Sequence, residues 1–126
     1  MKVVLDWMKS LCPLSDETIR ELEACVTPCH FPKKHLLVRE GIFCKYAYFI
    51  EKGMTRSYWL VDGEEFTTSF AYDGCIVFSM DELYYNQVSQ EFVETLEELQ
   101  AYRILITDLR RLWETNLELS NWGRII

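Results

Sequence analysis

Apolar residues recur at helical spacing only towards the two ends of the chain. Val4, Leu5, Met8 and Leu11 share one side of a helix expected over residues 1–11, and Pro13 ends it. A second helix is expected from about Ser15 to Val26. Ser15 is a good N-cap, and Asp16 and Glu17 sit in the first turn, where the helix dipole favours acids. Leu14 and Ile19 occupy the two positions of a hydrophobic staple, Ile19, Leu22, Cys25 and Val26 form the apolar stripe, and Pro28 stops the helix. After Pro32 the pattern becomes that of strands. Short runs at Leu36–Val38, Tyr46–Glu51, Met54–Val61, Glu65–Ala71, Cys75–Phe78, Glu91–Leu96 and Ala101–Ile106 are punctuated by Gly41, Gly53, Gly63 and Gly74. Asp62-Gly63 is the strongest hairpin signal, because a type I′ turn needs positive φ at both central positions. Phe66, Ser69 and Phe70 break strict alternation, so a bulge is expected there. Strands joined by glycine turns at roughly ten-residue spacing point to a β-sandwich or barrel. Thr107-Asp108 is expected to cap a closing helix with Leu109, Leu112 and Trp113 on one face. Leu117, Leu119, Trp122, Ile125 and Ile126 continue the apolar pattern to the last residue. Such an ending implies packing on a partner or further protein beyond it.

Composition narrows this picture. The chain has 126 residues, of which 49% are hydrophobic, enough for one domain with a proper core. Its 13 basic residues are scattered among 20 acidic ones, giving a net charge of −7, which argues against a nucleic-acid surface. No apolar run approaches the ~18 residues of a membrane span, and Lys2, Asp6 and Lys9 interrupt the N-terminal run that a signal peptide would need. Five cysteines without tandem spacing read as reduced thiols in a cytoplasmic protein. There is no Ser/His/Asp set, no HExxH and no glycine-rich phosphate loop, so no enzyme and no cofactor are expected. Two histidines, both ahead of the main strands, are too few for a cupin metal site.

Chemistry concentrates in Tyr72–Glu98, which reads as a strand, a short helix-capable insert and a second strand. The free N–H groups at the start of such an insert suit an anion. Cys25, Cys29 and His30 are close enough in sequence to be weighed as metal ligands, against the plainer reading of buried structural thiols.

Several segments resemble the sensor domain of Crp/Fnr transcription regulators, with the Bacteroidetes type nearest. They are Phe31–Gly41, Tyr46-Ala-Tyr-Phe-Ile-Glu-Lys-Gly53, Met54–Tyr58, Asp62–Glu65 and Phe92–Glu98, and the resemblance extends over about Leu14 to Ile126. It implies a mainly β fold with flanking helices, a jelly roll (double-stranded β-helix) of the cyclic-nucleotide-binding type. Residues 1–106 would form the N-terminal helices and jelly roll. Residues 107–126 would begin a dimerisation helix carrying Leu109, Leu112, Trp113, Leu117, Trp122, Ile125 and Ile126 into a homodimer. The helix-turn-helix domain through which such regulators bind DNA would lie outside this chain.

In nucleotide-binding members a Gly-Glu pair holds the ribose and an Arg-Ser or Arg-Thr pair holds the phosphate. Counted from Gly74, these fall on Phe78-Ser79 and Ser89-Gln90, and Asp81-Glu82-Leu83 resembles a displaced Gly-Glu-Leu. The charges needed for a cyclic phosphate are therefore lost, and neither cyclic AMP nor cyclic GMP is expected to bind. The ligand pocket is expected among Tyr58, Gly74, Phe78, Ser79, Met80, Asp81, Glu82, Ser89, Gln90 and Phe92. The expected function is a regulator's sensor domain with an unidentified effector; the alternative is a stand-alone jelly-roll interaction module without a small ligand.

Overall fold

The computed structural model describes residues 1–126. Two helices, α1 (Lys2–Leu11) and α2 (Asp16–Glu23), precede the strands. There follow β1 (Val26–Phe31), β2 (Leu36–Val38), β3 (Tyr46–Lys52), β4 (Met54–Val61), β5 (Glu64–Tyr72) and β6 (Ile76–Val77). The chain continues through α3 (Met80–Tyr85), β7 (Phe92–Thr95), β8 (Leu99–Leu105), α4 (Ile106–Thr115) and α5 (Leu117–Ile125). The strands form two antiparallel four-stranded sheets, ordered β1-β8-β3-β6 and β2-β7-β4-β5. Sheets facing each other with helices at both ends of the chain are the expected jelly roll.

Strand alternation explains how one sheet serves two cores. In β3, Ala47 and Phe49 point to the helices, joining Val4, Met8, Leu22, Leu109, Leu112, Leu119 and Trp122. Their neighbours Tyr48 and Ile50 point the other way, to Leu37, Val38, Val93 and Leu99 between the sheets. Buried on both faces, β3 reads as a continuous apolar run. The helices of residues 107–126 thus share a core with α1, α2 and the sheet.

Local signals act as expected at several points. Asp62 (φ 52°) and Gly63 (φ 80°) form the tight turn between β4 and β5. Ser57 pairs with Ser69 and Tyr58 with Thr67, which leaves Thr68 as the extra residue of a bulge. Ser15 caps α2, its hydroxyl accepting from Thr18 N at 3.2 Å.

Three expectations are corrected. The second helix ends at Glu23, and Val26–Phe31 is a strand that contains Pro28. β1 is an edge strand paired only with β8, so a residue without an N–H costs it no essential bond. Thr107-Asp108 does not cap the next helix. It begins at Ile106 after Leu105, with no side-chain cap; Ile106 N instead donates to Lys45 O at 2.9 Å. The closing apolar pattern is also broken at Asn116, whose side chain accepts from Leu119 N at 3.0 Å and starts α5 in a new direction.

Asn116 and Glu118 tie this break to α2. Asn116 Nδ2 donates to Glu21 at 2.8 Å, and Glu118 accepts from Ser15 N, Ser15 Oγ and Thr18 Oγ1. These donors, Thr18 first, hold the Glu118 carboxyl below its usual value of 4.5. A lowered carboxylate pKa stabilises the fold above the unfolded value, and that stability is lost as pH falls through the folded value. Glu118→Gln is therefore expected to lower the melting temperature at neutral pH. The gap to wild type should narrow once pH drops below 4.5. Melting curves across a pH series check this; a gap independent of pH contradicts it.

Candidate functional site

The segment after Gly74 is shaped by local backbone needs. Gly74 has φ 94°, donates its N–H to Ile50 O at 2.8 Å, and lies against Trp7. A β-carbon there would sit 2.8 Å from Trp7 Cβ, so only glycine fits. Ser79 is fully buried and caps α3, its hydroxyl accepting from Glu82 N at 3.3 Å.

Glu82 is 0% exposed and turns inward. Its carboxylate accepts from Cys44 N at 2.9 Å and Lys45 N at 2.8 Å, bracing the loop that enters β3. Arg110 on α4 completes the brace. Its Nε donates to Leu83 O at 2.9 Å and its Nη2 donates to Glu82 O. Ser89 is also buried; its hydroxyl donates to Glu91 O at 2.9 Å and accepts from Glu91 N at 3.1 Å. Gln90 donates its backbone N–H to Asp81 at 3.1 Å. Ser79 and Ser89 thus both serve the local backbone.

Between β4, β5, β6 and α3 lies an open cavity of about 690 Å³, of the size that holds small ligands. Of the expected pocket residues, Phe78, Met80 and Asp81 line it. Trp59, Phe70, Tyr85 and Glu91 line it as well. Gly74, Ser79, Glu82, Ser89 and Gln90 do not. Tyr58 and Phe92 lie on the opposite face of their sheet, stacked at 5.1 Å, with the Arg56 guanidinium 4.1 Å above Tyr58. Arg56 is held there by Glu65 at 2.6 Å and Glu94 at 3.2 Å.

The cavity wall contains two carboxylates, Asp81 and Glu91, and no Lys, Arg or His. Burial and then the nearby Asp81 charge push the Glu91 carboxyl above its usual range. Glu91 carries no local distinction in the sequence; only the return of the chain beside α3 brings it near Asp81.

Cys25, Cys29 and His30 do not converge. Cys25 Sγ accepts from Arg111 at 3.4 Å, Cys29 packs towards the core between the sheets, and exposed His30 meets Glu98 at 2.5 Å. Strand alternation sends Cys29 and His30 to opposite faces. No group of three His, Cys, Asp or Glu residues converges as a metal site. No helix is long and apolar enough to cross a membrane. Of the residues expected on a dimer helix, Leu109, Leu112 and Trp122 are buried in the chain's own core and Trp113 packs against it. Leu117, Ile125 and Ile126 are exposed.

Residues 28–116 match the family model for the cyclic nucleotide-binding domain. The chain belongs to this family. Similar solved structures show the same fold in this cyclic nucleotide-binding domain. The catabolite activator protein of Thermus thermophilus superposes with a TM-score of 0.76 at 15% identity, over 89% of this chain and 53% of that one. The sensor domain of the transcriptional regulator DNR from Pseudomonas aeruginosa gives 0.74 at 18% identity, over 90% and 75%. The regulatory domain of Toxoplasma gondii PKA, solved with cAMP, gives 0.73 at 16% identity, over 87% and 41%. The domain spans about half or less of the length of the first and third of these proteins. No curated protein sequence matches it.

Proposed function

We propose that this cyclic nucleotide-binding domain is the sensor domain of a cytoplasmic Crp/Fnr-like transcription regulator, of the Bacteroidetes type, that does not respond to cyclic AMP or cyclic GMP. Its DNA contacts belong to a separate helix-turn-helix domain, and Leu117, Ile125 and Ile126 offer the apolar surface for a homodimer. The observation that carries the ligand claim is the cavity wall: Asp81 and Glu91 face a space with no cation. Placing a phosphate beside two carboxylates, without a cation to neutralise it, costs several kcal/mol in effective terms.

Isothermal titration with cyclic AMP and cyclic GMP tests this, alongside melting curves. A ligand at a hundred times its Kd stabilises a protein by about 2.7 kcal/mol, so binding would be plain in both readouts. We expect no saturable heat and no rise in melting temperature; saturable micromolar binding of either nucleotide overturns the reading.

A second reading, an interaction module without a small ligand, has one observation in its favour. The β4–β5 hairpin exposes Trp59, Leu60, Val61, Phe66 and Phe70 together. Stable association with a protein partner through Leu60, Val61 and Phe66, which lie outside the cavity lining, unaffected when the cavity is filled by substitution, would favour it.

A further inference from the structure

The geometry points to an organic cation, an ammonium group on an aromatic or aliphatic body, as the ligand of the Asp81–Glu91 cavity. This rests on the proposed reading of the cavity as the sensor's ligand site. Three features carry it together. First, the space of about 690 Å³ is far larger than a water or a bare ion requires, and most of its lining is apolar. Second, Trp59, Phe78 and Tyr85 contribute aromatic side chains to that lining, and ring faces attract ammonium groups as well as apolar bodies. Third, the Glu91 carboxylate is half-buried and has no hydrogen-bond or ion-pair partner in the chain. The Asp81 carboxylate accepts only the backbone N–H of Gln90.

The competing ligand classes fit less well. An anion meets two like charges and no donor side chain that is positively charged. A divalent metal ion takes six to eight oxygens if calcium and six if magnesium, mostly from carboxylates, carbonyls and water. Two carboxylates against an apolar wall do not make that cage, and no third His, Cys, Asp or Glu joins them. A neutral apolar molecule would fill the space but leave the Glu91 charge half-buried and unpaired. A cation with an apolar body satisfies both the carboxylates and the wall.

The two acids play separable parts. Asp81 sits in the first turn of α3 and also holds the turn at Gln90. Glu91 precedes β7, with its backbone fixed by Ser89, so its carboxylate is free to meet a ligand. Nothing in the fold depends on the Glu91 charge. Because burial and Asp81 disfavour that charge, Glu91→Gln is expected to fold and to melt at the same or a higher temperature than wild type without ligand.

Three probes with one ring system and different charge test the inference: tryptamine, tryptophol and indole-3-acetate. Isothermal titration of the wild-type chain is expected to show saturable tryptamine binding, at least tenfold weaker tryptophol binding, and no binding of indole-3-acetate. Glu91→Gln is expected to weaken tryptamine at least tenfold while changing tryptophol little, and Asp81→Asn to weaken it less. Absence of tryptamine binding, equal or tighter binding of tryptophol or indole-3-acetate, or full tryptamine affinity in a folded Glu91→Gln variant would each overturn the inference. Cyclic AMP is run in parallel. Its saturable binding would overturn the underlying reading of the cavity, whereas failure of tryptamine alone leaves that reading standing and removes only the cation.

Discussion

Replacing Glu82 by alanine is expected to cost the fold about 3–5 kcal/mol, because a fully buried carboxylate with two charge-assisted bonds would vanish and leave its donors unpaired. The donors are the backbone N–H groups of Cys44 and Lys45, just before β3. Neither has a substitute acceptor among the chain's hydrogen bonds. Glu82 also joins α3 to α4, since Arg110 donates to the carbonyls of Glu82 and Leu83. Glu82→Ala leaves those two main-chain carbonyls in place, so truncation loosens the loop entering β3 from the cavity-bearing α3 and spares the Arg110 bonds. Glu82→Gln retains one acceptor oxygen and should cost less, on the order of half as much. Urea titrations of the two variants measure both effects. A cost below about 1 kcal/mol for Glu82→Ala would mean that the carboxylate is not the brace described.

Trp122→Ala is expected to cost about 3–5 kcal/mol, as large aromatic truncations in packed cores do. Trp122 is 2% exposed and stacks on Phe49 of β3 at 5.8 Å, with Trp113 at 6.5 Å on another side. The indole N–H finds no acceptor, so part of this residue's burial is unfavourable. Trp122→Phe keeps a ring against Phe49, removes that orphan donor and leaves a smaller cavity, so it should cost less than Trp122→Ala. Leu117, on the same helix, is 74% exposed, and Leu117→Ala should fall within about 0.5 kcal/mol of wild type. Thermal and urea unfolding of the three variants separate these expectations. Equal costs for Trp122→Ala and Leu117→Ala would contradict the packing of α5 on the sheet.

The contrast between Trp122 and Leu117 shows what periodicity can and cannot assign. An apolar stripe says that a face will be covered, but not by what. Leu109, Leu112 and Trp122 are expected from the sequence on a dimer helix. Asn116 turns the chain, and these residues close over Phe49 and Met8 within one molecule. The apolar periodicity contains neither the Asn116 cap nor the direction it imposes. Pro28 gave the opposite difficulty. Proline is a reliable helix breaker, but it is tolerated in an edge strand, and edge position is a property of the sheet order.

The Tyr72–Glu98 segment divides along the same line. By itself the sequence determined its outline, because each part answers to neighbours a few residues away. Gly74 turns the chain, Ser79 caps the helix, and alternation marks β7. Tertiary structure alone decided which side chains meet the cavity. Tyr58 and Phe92, apolar and well placed in sequence, lie on the far face of the sheet. Glu82, acidic and near the right place, is taken by Cys44 and Lys45. Glu91, which carried no local distinction, is brought beside Asp81. The reason is physical: turns and caps are satisfied by bonds within a few residues. The charge and shape of a cavity are sums over strands that meet only when the sheets pair.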